Sequence, residues 1–552
     1  MTLTLPAEQD AAGAITLAAD VYYPDGEGPF PVLLMRQPYG RAIASTVVYA
    51  HPAWYASHGY IVVIQDVRGR GSSGGSFDLF CHEAADGRAT VLWAAALPKS
   101  TGAVGMYGFS YQGMTQLYAA ATGPTPLKTI APAMVGYDLY HDWAYENGAL
   151  LLQTGLGWAL QLAAETARRA ENQTAYHRLY QAAHQLALTD PTPARPQILR
   201  ELAPESFFHD WLDHPTDDDY WQRLRPDLAA VDLPMLHIGG WFDPYLRGDL
   251  RRYQQMVAQS NAPQHLWIGP WGHLPWGRRV GAVDFGPEAE NPVDRLQIRW
   301  FDHFLKGCDT GLGQEPAVRL FEMGRNRWRS FDHWPEGQVN RFYLGSSGLA
   351  GMRQDDGLLT PTPSPPSAPG DDWGTDVMVH DPWRPVPSLG GHAGIPAGSF
   401  DRAAIDGRSD VLTYTTWPLT EPLRVAGTPS LELYIQTDTV SFDLSAVLSE
   451  VYPDGRVMNL SQGYGRFEAP SDSADHFPSK FTLSLQSTCF VIPAGHALRL
   501  SLAAASFPAY AVNSGHGSAA GERHLIEYQI ITLAVWHGTR FPSYLKLSLG
   551  VA

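Results

Sequence analysis

Val104-Gly105-Met106-Tyr107-Gly108-Phe109-Ser110-Tyr111-Gln112-Gly113 runs from a short apolar segment into a stretch, 114–121, of helical composition. A serine at a strand-to-helix turn needs small residues around it, because its backbone is strained and its hydroxyl stands exposed at the sheet edge; this is the nucleophile elbow. Gly108 and Gly113 supply the room. The second glycine falls three positions after the serine rather than two, so Gln112 must fit where a glycine usually packs. The bare string Gly-x-Ser-x-x-Gly describes many ordinary turns, and the strand before it with the helix after it gives it meaning.

On either side of the elbow, apolar runs at 31–37, 60–66, 104–109 and 127–131 read as buried parallel strands. Stretches 45–58 and 83–97 between them are long enough for helices, and the alternation predicts an α/β sheet. From 142 to 224 the apolar runs give way to helical patterns, including 150–169 and 172–188, which read as an inserted cap. The α/β pattern resumes at 234–240 and 264–270, and a helix over 295–305 is expected to close the domain. Beyond 331, alternating segments such as 430–436, 444–452 and 498–503 predict an all-β sandwich. The predicted division is an α/β-hydrolase domain in two parts, 1–141 and 225–330, a helical cap, 142–224, and a β-sandwich, 331–552. The Pro-rich stretch 360–370 is expected to be an extended loop.

At 552 residues, two or three folded units are expected. With 44% hydrophobic and 17% charged residues the chain is ordinary globular material, and a net charge of -17 argues against nucleic acid or anionic membrane as partner. The opening ten residues lack a basic leader, and no run approaches the roughly 20 apolar residues of a spanning helix. A cytoplasmic location is the expectation. Cys81, Cys308 and Cys489 have no metal-ligand spacing and no even count, so neither a disulfide scaffold nor a metal site is expected.

A serine hydroxyl needs a base, itself oriented by a carboxylate, in the chain order Ser, Asp, His. Gly239-Gly240-Trp241-Phe242-Asp243 follows one apolar run and Gly269-Pro270-Trp271-Gly272-His273 the next, which places Asp243 and His273 at the C-terminal ends of strands, where ligands collect in open α/β sheets. Asp243 also suits a helix N-cap, with Asp249 and Asp284 as substitutes, and His237, inside a strand, reads as core. An oxyanion needs donors: the Tyr111 N–H fits, and Arg36-Gln37-Pro38-Tyr39-Gly40-Arg41 offers the Tyr39 hydroxyl, unless Tyr39 is only a turn aromatic.

These motifs, together with Asp66-Val67-Arg68-Gly69-Arg70-Gly71-Ser72-Ser73-Gly74-Gly75, resemble the family of X-Pro dipeptidyl-peptidases, cocaine-esterase-like enzymes and α-amino acid ester hydrolases over nearly the whole chain. The resemblance explains the displaced glycine. It implies Ser110, Asp243 and His273 as the triad, the Tyr39 hydroxyl and Tyr111 N–H as oxyanion hole, a helical cap, and a C-terminal jelly roll consistent with Ala426-Gly427-Thr428-Pro429 and Ser506-Phe507-Pro508-Ala509-Tyr510. Asp66 and Arg68 are expected to form an ion pair bracing the glycine-rich loop.

Members that act on α-amino acyl groups carry extra acids just after the triad aspartate, whereas Pro244-Tyr245-Leu246 stands here; Asp142 and Glu146 at the cap entrance are the alternatives. Trp143, Trp241 and Trp271, with Trp54 and Trp276, suggest an aromatic substrate pocket, or else core packing. The expectation is a serine hydrolase that cleaves carboxylic esters through an acyl-enzyme on Ser110, with no cofactor, a small ester or amide as partner, and a homodimer left open. Its rivals are a dipeptidyl-peptidase or α-amino acid ester hydrolase, and an inert binding protein that uses its β-sandwich.

Overall fold

Runs such as Phe30–Gln37, buried from Pro31 onward, satisfy their backbone only with neighbours on both sides, and the chain builds them into one sheet. The computed structural model describes residues 1–4, 14–42, 46–363, 372–470 and 477–550. Its strands are β1 (Thr2–Thr4), β2 (Thr16–Tyr22), β3 (Phe30–Gln37), β4 (Ile61–Asp66), β5 (Ser100–Phe109), β6 (Leu127–Ala133), β7 (Met235–Phe242), β8 (Gln264–Gly272), β9 (Val318–Glu322) and β10 (Arg327–Phe331). They lie in the order β1-β2-β4-β3-β5-β6-β7-β8-β9-β10. Strands from β4 to β9 in that order run parallel, with antiparallel pairs at the two edges.

Helices α1 (Pro52–Ser57), α2 (Glu83–Ala95) and α3 (Tyr111–Ala121) make the first crossovers. The cap follows β6 as α4 (Leu152–Arg169), α5 (Gln173–His184), α6 (Gln197–Leu202), α7 (Phe207–Asp213) and α8 (Asp219–Arg223). The sheet then resumes with α9 (Leu246–Gln259) and α10 (Val293–Lys306). Two expectations need correction. The helix read over 45–58 is only α1, opened by Pro52 in its first turn, with 43–45 outside the described residues. And α10 does not close the sheet: apolar β9 pairs with β8, and the charged, half-exposed β10 caps the edge, as sheet edges require.

From Gln338 onward the chain is an antiparallel β-sandwich of jelly-roll type. Ser430–Thr437 shows the alternation of such strands, with Leu431, Leu433 and Ile435 inward. Ser441–Val451 pairs with Val457–Glu468 on one side and Ala497–Ala503 on the other. The sandwich shares an apolar core with the catalytic sheet: Trp241, Phe242 and Phe321 pack in one cluster with Val425, Leu433 and Phe490. Of the Pro-rich stretch 360–370, residues 364–370 lie outside the described residues, as do 5–10 of the opening segment.

Candidate active site

Four loops leave the same, C-terminal edge of the parallel strands, after β3, β5, β7 and β8. In the β7–β8 register Phe242 pairs with Gly272, so Asp243 and His273 are the next residues of adjacent strands and meet without any long loop.

The elbow lies between β5 and α3. Ser110 has φ +59° and ψ -127°, a conformation side chains rarely adopt, and it is fixed by its N–H donating to Ala133 O at 3.0 Å. Gln112 folds back under the turn, where its Oε1 accepts from Phe109 N–H at 3.3 Å. A Cβ on Gly108 would come 2.5 Å from Gln112 Cβ, and one on Gly113 would come 3.0 Å from Val135 Cβ, so both glycines serve this packing. Gln116 braces the turn further, donating to Gly108 O (3.0 Å) and accepting from Ala131 N–H (3.0 Å). The Tyr111 phenol donates to Glu83 Oε1 at 2.8 Å, and Glu83 forms a buried ion pair with Arg36 at 2.6 Å. The start of α3 is thereby tied to β3.

Ser110 Oγ lies 3.1 Å from His273 Nε2, and His273 Nδ1 lies 2.9 Å from Asp243 Oδ1. Asp243 is fully buried while the imidazole is a quarter exposed. Hydroxyl, imidazole and carboxylate in a line is the arrangement that activates a serine for acyl transfer. The Tyr39 side chain lies close enough to Ser110 to be influenced by it electrostatically, and its hydroxyl accepts from Trp158 Nε1 at 3.2 Å. Burial pushes its pKa up to about 12, so the phenol keeps its proton at neutral pH and remains a donor. The Tyr111 N–H is the first amide of α3 and has no carbonyl a turn earlier to bond, which leaves it available beside Ser110 at the positive end of the helix.

The substitutes for Asp243 lie elsewhere: Asp249 is buried on Arg252 (2.8 Å) and receives Val135 N–H, and Asp284 binds Arg278 (2.7 Å) at the surface. His237 is core, bonded to Gln264 and Arg252. The expected Asp66–Arg68 pair does not form. Asp66 takes Arg41 and the Ser72 N–H, and Arg68 pairs with Asp86 at 2.7 Å, because the loop folds tightly over the Asp66 carboxylate; a Cβ on Gly71 would sit 2.0 Å from its Oδ2.

Of the tryptophans, Trp241 and Trp271 are buried in the core, with their indoles donating to Phe321 O and Ala289 O at 2.8 and 2.9 Å, so the structure turns them away from a substrate. Trp54 packs on Tyr55 of α1 and on His58 just beyond it. Trp143 stands one ring behind the site: it packs on Tyr245 (4.4 Å between centroids), which meets His273 edge-on at 5.0 Å. Trp276 donates to His273 O at 3.0 Å.

The two acids at the cap entrance are engaged. Asp142 pairs with Arg251 (3.0 Å), although burial holds its pKa up. Glu146 Oε2 meets Arg247 (2.9 Å), His392 (2.8 Å) and the Tyr510 hydroxyl (2.6 Å), and against the upward push of burial these partners hold its carboxyl down to about 2. Asp138, His141 and Asp217 lie close enough to share an ion, but the Arg225 guanidinium already sits on both carboxylates.

Sequence reading missed Trp158, Tyr245 and Gln486. Gln486 comes from the β-sandwich, and its Nε2 donates to Asp243 O at 2.6 Å, holding the loop that carries the triad carboxylate. Its own backbone is fixed by Gln462 O and by the Ser461 hydroxyl. A contact across 243 positions leaves no local signal.

A ten-stranded α/β-hydrolase sheet with an elbow serine, an imidazole and a carboxylate in line defines a serine hydrolase. Residues 12–275 match the X-Pro dipeptidyl-peptidase (S15) family and residues 310–546 the X-Pro dipeptidyl-peptidase C-terminal non-catalytic domain. The chain is 32% identical over 564 aligned residues to the cocaine esterase of Rhodococcus sp. (strain MB1 Bresler), covering 97% of this chain and 96% of that one. It therefore belongs to the S15 family in which cocaine-esterase-like enzymes and X-Pro dipeptidyl-peptidases stand together. In fold it is similar to an aminopeptidase from a marine sediment archaeon, Thaumarchaeota archaeon (TM-score 0.80, 22% identity, covering 100% of this chain and 96% of that one). It is equally similar to an α-amino acid ester hydrolase (TM-score 0.79, 23% identity, 100% and 96%). No helix among the described residues is long and apolar enough to cross a membrane.

Proposed function

We propose that the chain hydrolyses carboxylic esters, with Ser110 as nucleophile, His273 as base and then acid, and Asp243 orienting the imidazole and stabilising its charge. Ser110 Oγ attacks the ester carbonyl while His273 takes its proton. The Tyr39 hydroxyl and Tyr111 N–H receive the oxyanion, and the alkoxide leaves with the proton from His273. Water, activated by the same imidazole, then releases the acid. The observation that carries the reading is the unbroken line Asp243–His273–Ser110, with the protonated Tyr39 phenol beside the serine.

Esters are favoured over α-amino acyl substrates because Asp142 and Glu146 are held by arginines, so neither is left to receive a substrate ammonium. The relative named for ester cleavage supports the same choice. Tyr245, edge-on to His273 and backed by Trp143, would form an aromatic wall for the acyl or alcohol group. The three cysteines, all unpaired, suit a reducing compartment, and we place the enzyme in the cytoplasm.

Paired rates on short-acyl p-nitrophenyl esters and on Ala-Pro p-nitroanilide test the assignment. The ester is expected to turn over and the anilide not. Strong anilide turnover would make the chain a dipeptidyl-peptidase that holds the amine by groups other than these acids.

A further inference from the structure

Between the glycine-rich loop after β4 and the cap helices α4, α7 and α8 lies a cavity of about 980 Å³, within the range of small-molecule sites. Arg70, only 2% exposed, lines its inner end. The guanidinium lies 3.7 Å over the Phe77 ring and donates from Nη1 to Leu162 O (3.0 Å) and Thr166 Oγ1 (3.1 Å). Among the described residues no carboxylate comes within ion-pair distance of it, its Nε is buried without a partner, and its Nη2 has no acceptor. Burial lowers its pKa only to about 10, so it stays a cation at neutral pH.

Arg169, on the same wall, bonds only the carbonyls of Gly71 and Ser73 among the described residues. Glu165, beside Thr166 on α4, is held in two hydrogen bonds by Arg168. A buried guanidinium without a counter-ion is costly. Leu79, Ala163, Leu202 and Phe207 give the wall an apolar stretch, while Asp78, Glu205 and Asp210, with Arg223, are exposed at the rim.

We propose that this cavity binds a small organic monocarboxylate, with its carboxylate on the Arg70 guanidinium beside Arg169 and its apolar body along α4 and α7. With Nη1 bonded to α4 and Nε buried, the Nη2 end of the guanidinium is what a carboxylate would meet, and burial makes such a charge-assisted pair strong. The acidic rim, on a chain of net charge -17, disfavours multiply charged anions such as phosphates. The site is distinct from the triad, since neither Ser110 nor His273 lines it. It lies one aromatic layer behind the triad: Phe77 packs 6.2 Å from the Tyr111 ring, and Phe207 packs 5.0 Å from Trp158.

Isothermal titration of 4-phenylbutanoate, with 4-phenylbutanamide as neutral control, tests this on the full chain before and after treatment with a fluorophosphonate. The expected result is saturable binding of the acid but not the amide, unchanged by the phosphonate. Arg70→Met should weaken it about tenfold or more, the scale of a lost charge-assisted hydrogen bond. Arg169→Met, a half-exposed change that leaves the core alone, should weaken it by about threefold, the scale of a partly screened charge. Equal affinity in both variants, loss of binding on phosphonylation, failure of the acid to bind at all, or binding of inorganic phosphate in its place would each overturn the proposal.

Discussion

The catalytic sheet and the β-sandwich contribute to one site in opposite ways. The sheet supplies every group in line with the serine, each from a loop at a strand's C-terminal end, where the register brings neighbouring loops together. The sandwich supplies none of these and yet reaches the site from behind. Gln486 holds the Asp243 carbonyl, while His392, Tyr464 and Tyr510 close on Glu146 at the root of the cap. A domain without a reacting group can still fix the geometry of one, because misplacement by about 1 Å costs catalysis heavily. Removing groups from the sheet should therefore abolish chemistry, and removing groups from the sandwich should loosen it.

The largest effect belongs to the sheet. Ser110→Ala should lower turnover of a p-nitrophenyl ester by on the order of 10⁴-fold or more, with little change in Tm. Retained turnover would dissolve the contrast altogether. Next comes the knot between cap and sandwich. Glu146 has a folded pKa of about 2 against an ordinary value of 4.5, so its stabilisation is fully present above pH 4.5 and is lost as the pH falls toward 2. Glu146→Gln should cost on the order of 3 kcal/mol in denaturant unfolding at pH 7. The gap to the parent protein should close between pH 4.5 and 2, and a gap constant with pH would mean that the carboxylate charge is not what matters.

Tyr39→Phe should lower kcat by on the order of 10²-fold, the scale of one lost oxyanion donor. An unchanged kcat would return Tyr39 to a packing role. The smallest effect sharpens the comparison most. Gln486→Met keeps the volume but removes the donor, and it should lower kcat by about tenfold, the scale of one hydrogen bond, with KM nearly unchanged. A rise in KM at constant kcat would show that Gln486 shapes the pocket rather than the triad.

Much of the site was legible because its parts lie in short local patterns: glycines around Ser110, and a glycine-tryptophan run ending each of β7 and β8 at Asp243 and His273. The strand-helix alternation likewise marked the sheet and the inserted cap. What failed to show depends on contacts distant in sequence. Trp241 and Trp271 sit beside triad residues in the chain, but each is still in or at the end of a strand, and its indole turns into the core. Asp66 and Arg68 are neighbours in sequence, yet each finds another partner across the folded loop. Gln486 looks like any polar residue at a strand end until the two domains are packed together. Charge pairing was equally hidden: Asp142 and Glu146 read as free acids, while their arginines lie about a hundred residues on, in α9.

The most direct test is to treat the native chain with a fluorophosphonate and locate the adduct by mass spectrometry. One phosphonyl group per chain on the peptide containing Ser110, and none in His273→Ala, is the expected result. An adduct on another residue, or no adduct with the fold intact, would contradict the account.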